Sequence, residues 1–154
     1  MSSYVERVLQ PGENVRLVAT LHWILYVPAL LVLVCALVVW LYAGSIPGGE
    51  MMWTILAGVL AAIGVIMLFR AWFDRWVTEI AVTDRRVIFK TGFIRRDTNE
   101  MQMDKVESVR VDQSILGRVL DYGDVTVLGT GKGEFTRLKT IAAPLDLRNQ
   151  ITGV

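Results

Sequence analysis

The sequence predicts a membrane protein: a two-helix transmembrane hairpin followed by a small antiparallel β domain. Three observations predict it. Two uncharged apolar runs follow one another before residue 70, every tryptophan lies at or just beyond an end of those runs, and the hydrophobic period changes from helical to alternating after residue 76. A chain of 154 residues has room for one small domain, or for an anchor and a minimal domain. Its hydrophobic fraction of 53% is high for a soluble domain of this size, and the net charge of +1 conceals an uneven distribution. Residues 21–69 carry only Glu50, whereas 14 basic and 12 acidic residues lie from Arg70 onward.

The first run, LHWILYVPALLVLVCALVVWLYA (21–43), has no formal charge besides His22, and the second, MMWTILAGVLAAIGVIMLF (51–69), has none. At the α-helical rise these runs reach about 34 Å and about 28 Å, against a hydrocarbon core of about 30 Å. Two consecutive uncharged runs leave a buried globular helix no solvent face. Trp23 and Trp40 mark the ends of the first run and Trp53, Trp72 and Trp76 surround the second, with Tyr26 and Tyr42 at the same levels. An indole suits the headgroup zone because its ring is apolar while its N–H needs a partner. The spans are expected at 21–43 and 51–73, with Arg70 snorkelling to the interface.

The loop 44–50 has no Lys or Arg, whereas the N-terminal flank has two and residues 70–90 have five. The positive-inside rule then puts the loop outside and both termini in the cytoplasm, as expected for a multi-pass protein of a bacterial inner membrane. No cleavable signal peptide is expected, because the first apolar run begins behind a polar N-terminus. The lone cysteine, Cys35, lies inside a span, cannot form an intramolecular disulfide and requires no oxidising compartment. Within the second span Ala57, Ala61 and Gly64 recur at i, i+4 and i+7, with Gly58 and Ala62 beside them. Small residues at that spacing let another helix approach closely, either the first span or a second copy of the chain. Pro28 lies too near the start of its span to kink it strongly.

From Trp76 the pattern is that of strands. WVTEIAV (76–82) alternates, Thr83-Asp84 offers turn chemistry, and RVIFKTG (86–92) follows as a second strand broken at Gly92. FIRRDTNEMQM (93–103) and the β-branched KVESVRVDQ (105–113) continue the sheet; Val106 is out of phase with Val109 and Val111, which predicts a bulge or late start. SILGRVLDYG (114–123) reads as one helical turn or a loop, DVTVLG (124–129) and FTRLKTI (135–141) as a strand pair, and Pro144 as the start of a short helix with Leu147 and Ile151 on one face. The result is six strands and a terminal helix in a cytoplasmic domain at 74–154, after an N-terminal segment at 1–20. Within that segment Val15, Leu17 and Ala19 alternate with polar neighbours, so ENVRLVAT (13–20) either adds a strand to the domain or starts a juxtamembrane helix.

The run VTDRRVIFKTGFIRRDTNEMQMDKVESVRVDQSILGRVLDYGDVTVLGTG resembles the bacterial pleckstrin-homology-like (PH-like) membrane proteins of the YdbS-like kind. The matching pieces are T-D-R-R before an apolar strand, K-T-G-F-I, K-V-E-S-V-R-V, Q-S-I-L-G-R-V-L-D-Y-G, a closing Gly-Thr-Gly hairpin, and P-G-E-N-V before the membrane hairpin. The resemblance implies a PH-like split barrel, two antiparallel sheets plugged by a C-terminal helix. Here that helix is short, so the plug is expected to be incomplete or completed by a neighbour. The family brings a fold and no agreed catalytic activity.

Catalytic chemistry has little to work with. His22 sits at a span boundary and Cys35 within one, so no His/Cys metal cluster and no Cys–His pair can form; no catalytic residue, metal or cofactor is expected. GTGKGE (129–134) lacks the phosphate-loop spacing and fits a hairpin turn. Asp97, Glu100, Asp104 and Glu107 read as a solvated face. The basic stretch 82–96 totals +4, and Arg85, Arg86, Lys90, Arg95 and Arg96 are its candidate contacts for anionic lipid or a partner, set against a plain charged strand end that blocks edge pairing. The expected function is a non-enzymatic, inner-membrane-anchored module for protein–protein association or self-assembly. The alternative is an anionic-lipid-binding module using the hairpin 82–96. Expected partners are membrane lipids and membrane proteins or further copies, with no nucleic acid and no small-molecule substrate.

Overall fold

The computed structural model describes residues 8–43, 45, 49–91, 97–130 and 135–153. Two compact units emerge: a β unit formed by 1–22 together with 75–154, and a helical unit formed by 23–74.

The helical unit contains a 3-10 turn, Trp23–Tyr26, leading into α1 (Val27–Ala43), and most of α2 (Glu50–Val77). Both helices are long and apolar enough to cross a membrane, and only 11% of the most apolar stretch of each is buried. Where they meet, the residues are small. Ala29, Ala36 and Ala43 recur every seventh residue of α1 and are buried, as are Ala57 and Gly64 on α2. A Cβ at Gly64 would lie 2.7 Å from Leu33 Cγ, so the absence of a side chain sets how closely the helices approach. The seven-residue repeat keeps one stripe facing the partner helix, as in a left-handed pair. Ala61 is half-buried on this stripe, whereas Gly58 and Ala62 are exposed and open space surrounds Gly58. The expected packing face is therefore two faces: Ala57, Ala61 and Gly64 turn toward α1, and Gly58 and Ala62 turn away from it.

Among the described residues the β unit has seven strands. One sheet is β1 (Val15–Ala19), β2 (Glu79–Thr83), β3 (Arg86–Thr91) and β4 (Asp97–Gln102), all antiparallel in that order. The other is β5 (Val106–Asp112), β6 (Tyr122–Gly129) and β7 (Phe135–Ala142), also antiparallel. A 3-10 turn, Met103–Lys105, joins the sheets, and α3 (Ile115–Val119) links β5 to β6. The expected irregularity at Val106 is a register shift between Val106 and Ser108.

The N-terminal segment takes the strand form: Ala19 pairs with Ile80 and Val18 with Ala81. Residues 20–78, including both long helices, are thus an insertion between neighbouring strands. Trp76 falls on α2 and not on a strand, because AWFDRWV contains no helix breaker and the helix runs on to Val77.

The core joins both sheets and α4 (Pro144–Thr152): Ile80, Val82, Val87, Phe89, Met101, Val125, Val127, Leu138, Ile141, Leu147 and Ile151 form one cluster with Ala19. Pro144 at the first turn fixes the helix start, and Gly153 at φ 72° closes it. Nine residues suffice for this helix to send Leu147 and Ile151 into the barrel.

Candidate functional site

Two features of the β unit stand out, one at each end of the barrel. The first is a carboxylate clasp. Pro11-Gly12 makes a turn with Gly12 at φ 83°, a value that suits glycine, and the turn delivers Glu13 to the start of β1. The Glu13 side chain is fully buried. Its Oε1 accepts from Arg86 Nε at 3.0 Å and lies 2.8 Å from the Thr83 hydroxyl; its Oε2 accepts from Arg86 Nη2 at 2.9 Å and from the Gln10 N–H at 2.9 Å. The guanidinium therefore grips the carboxylate with two parallel donors. Arg86 also donates from Nη1 to Glu100 Oε2 at 2.7 Å and from Nη2 to the Val8 carbonyl at 2.9 Å. Beside it, the Asn14 N–H donates to Asp84 Oδ1 and the Asp84 N–H to the Asn14 carbonyl, each at 3.1 Å. The Arg86 N–H donates to Thr83 Oγ1 at 3.0 Å, which shapes the β2–β3 turn.

The electrostatics follow from these partners. The hydrogen bond from Arg86 lowers the Glu13 pKa most, burial opposes it, and the Gln10 and Thr83 hydrogen bonds add to the lowering, leaving the carboxyl at about 2. Arg86 is held further on the charged side by its bond to Glu13, against the opposing effect of burial and with help from Glu100. A carboxylate so held, and closed to water, is a poor proton acceptor near neutral pH. The clasp locks the chain before β1 onto the β2–β3 turn.

The second feature is α3. Ser114 accepts the Gly117 N–H at 3.0 Å as its N-cap, and Gln113 Nε2 donates to the carbonyls of Gly117 and Tyr122 at 3.4 and 3.3 Å. A Cβ on Gly117 would lie 2.6 Å from the Tyr122 carbonyl oxygen, so this turn presses directly on the first residue of β6. The large side chains face outward: Ile115 is 84%, Val119 76% and Leu116 65% exposed.

The basic residues of 82–96 are not gathered into one surface among the described residues. Arg86 is committed to Glu13 and Glu100, Lys90 Nζ lies 3.2 Å from Glu79 Oε1, and Arg85 is exposed. Arg95 and Arg96 lie outside the described residues. Glu100, read from the sequence as a solvated acid, is the second partner of Arg86. Trp23, Trp40, Trp72 and Trp76 are exposed, Trp53 is half-buried and Arg70 is exposed. Among the described residues no group of three His, Cys, Asp or Glu side chains could hold a metal ion.

A four-stranded and a three-stranded antiparallel sheet, closed by a C-terminal helix, make a PH-like domain, a class that commonly binds lipids or proteins. The chain belongs to the Bacterial PH domain family, which it matches over residues 15–152, from the first residue of β1 to the last of α4. No curated protein and no solved structure matches it.

Proposed function

We propose that this chain is a non-enzymatic PH-like module, anchored in a bacterial inner membrane by its helical hairpin with both termini cytoplasmic, that mediates protein–protein association or self-assembly. One observation carries the anchor: two long apolar helices, each with only 11% of its most apolar stretch buried, are spliced between the paired strands β1 and β2. A core helix of a soluble protein would be mostly covered. The tryptophans at the helix ends and the cation-free loop support the same reading. Association is supported by the sheet margins. Among the described strands β4 and β5 each pair on one side only, and an unpaired strand edge is a template for another chain.

Crosslinking in intact membranes, followed by mass identification of what is attached, tests the proposal. Self-crosslinks or a recurring membrane-protein partner are expected. A strictly monomeric detergent-solubilised protein with no attached partner overturns the association, and recovery of the chain in the aqueous fraction after lysis overturns the anchor.

The alternative, anionic-lipid binding by the hairpin 82–96, draws its support from exposed Arg85 and from the net charge of the stretch. Arg86 contributes little to it, being held by two carboxylates. Arg85→Glu in the full chain tests it: unchanged coupling of the barrel to anionic vesicles rejects this reading.

A further inference from the structure

The helix α3 is fastened through its polar and small residues, and its apolar ones are left over. Ser114 caps the helix, Gln113 donates to the Tyr122 carbonyl and Gly117 abuts it, while Ile115, Leu116 and Val119 are largely exposed, Leu120 is partly so, and none belongs to the core cluster. Ile115, Leu116 and Val119, with the more covered Leu120 beside them, form an apolar patch outside the core on one short, well-anchored turn.

The Tyr122 ring, at the end of the α3 connection, stacks on His22 with centroids 5.2 Å apart. Tyr122 pairs with Ala142, the Ala142 N–H donates to the Thr20 carbonyl at 3.1 Å, and the His22 N–H donates to the Thr140 carbonyl at 2.8 Å. Residues 20–22 are therefore bound into the same barrel end that carries α3, and Trp23, the first residue of the first apolar helix, follows His22 without a spacer.

We infer that α3 is a second membrane contact: Ile115, Leu116, Val119 and Leu120 sink into the headgroup–acyl boundary of the leaflet that the hairpin enters, with Arg118 at the phosphate level. The inference rests on the reading that the hairpin crosses a bilayer. His22 is hydrogen-bonded into this end of the barrel and Trp23 opens the apolar helix, so along the chain a single peptide bond separates the barrel end from the span, and acyl chain is the apolar phase that this connection brings within reach. The attraction is apolar in kind. Asp112 and Asp121 flank the helix and offset Arg118, so contact is expected to depend little on salt or on anionic lipid, unlike binding through a basic hairpin.

The test uses the full chain with Cys35→Ala, carrying one new cysteine at a time: Ile115→Cys, Val119→Cys, Val34→Cys on the exposed side of α1, and Lys105→Cys, exposed just before β5 at the far end of that strand. Each is labelled with an environment-sensitive fluorophore and reconstituted in phosphatidylcholine vesicles with or without nitroxide-labelled lipid. The labels at 115 and 119 are expected to lose roughly half their emission to a shallow nitroxide, as for an interfacial helix, and the label at 105 to lose none. Quenching at 34 with none at 115 and 119 overturns the inference and leaves the anchor standing. No quenching at 34 removes the anchor reading itself. A blue shift at 115 and 119 without lipid quenching shows a protein covering the patch, and also overturns the inference.

Discussion

Glu13 and Arg86, 73 residues apart in sequence, face each other through two hydrogen bonds of 3.0 and 2.9 Å, with the carboxylate side chain wholly buried. Removing one member of a buried pair strands the other. Glu13→Gln is expected to destabilise the β unit by about 3 kcal/mol, whereas Glu100→Gln, which removes a one-third-exposed partner, costs less than about 1 kcal/mol. The double variant Glu13→Leu with Arg86→Met should be less destabilised than either single change, since no buried charge is left unpaired and Glu100, which loses Arg86, is one-third exposed to water. Thermal unfolding of the detergent-solubilised variants by circular dichroism measures all of these.

The same pair sets a pH dependence. The folded-state pKa of Glu13 is lowered from 4.5 to about 2, so the unfolded chain takes up its proton first as the solution is acidified. Stability from this carboxylate is therefore complete above about pH 4.5 and is lost progressively as pH falls toward 2. Melting temperature followed from pH 6 to pH 2 should fall less steeply in Glu13→Gln than in the parent. Equal slopes would show that the carboxylate is not held as described.

The helical unit offers a paired comparison. A side chain at Gly64 meets Leu33 within 2.7 Å, while nothing lies within 4 Å of one at Gly58. Gly64→Val should separate the helices and cost about 1–3 kcal/mol, and Gly58→Val should be close to neutral. Heat-dependent exposure of an engineered cysteine pair across the helices, read by crosslinking yield, distinguishes them.

Because β1 pairs with β2, a fragment starting at residue 74 lacks an edge strand, Glu13 and the Ala19 contribution to the core. Such a fragment is expected to fold poorly. Joining residues 8–22 to 78–154 through a short Gly/Ser loop should give a folded protein that stays in solution without detergent. Amide-proton dispersion in NMR spectra of the two versions tests this, and equally folded spectra would show that β1 is dispensable.

Much of the architecture was legible from period and composition. The apolar helices lie where two uncharged runs stand, and the strands where β-branched residues alternate. Trp76 misled because alternation over a few residues also fits the end of a helix that has no breaker until after Val77. The alanines at 29, 36 and 43 carry a seven-residue signal in the first span as plain as the small residues of the second. Glu13 gave no local signal: its partner lies beyond both apolar helices, and only P-G-E-N-V and T-D-R-R taken together, as two halves of one contact, would have exposed it. The apolar letters of SILGRVL are those of a core segment, and nothing in them reveals that Gly117 and Gln113 turn the helix outward.

The splice between β1 and β2 also orders events during synthesis. The ribosome releases β1 first, yet its partner emerges only after residues 20–78 have been made. For that interval the strand has nothing to pair with, and closing the sheet demands a long-range contact of the kind that slows folding. Barrel closure thus comes after both greasy helices have left the exit tunnel, so a nascent chain stalled before Glu79 would display an unmated strand that a completed one conceals.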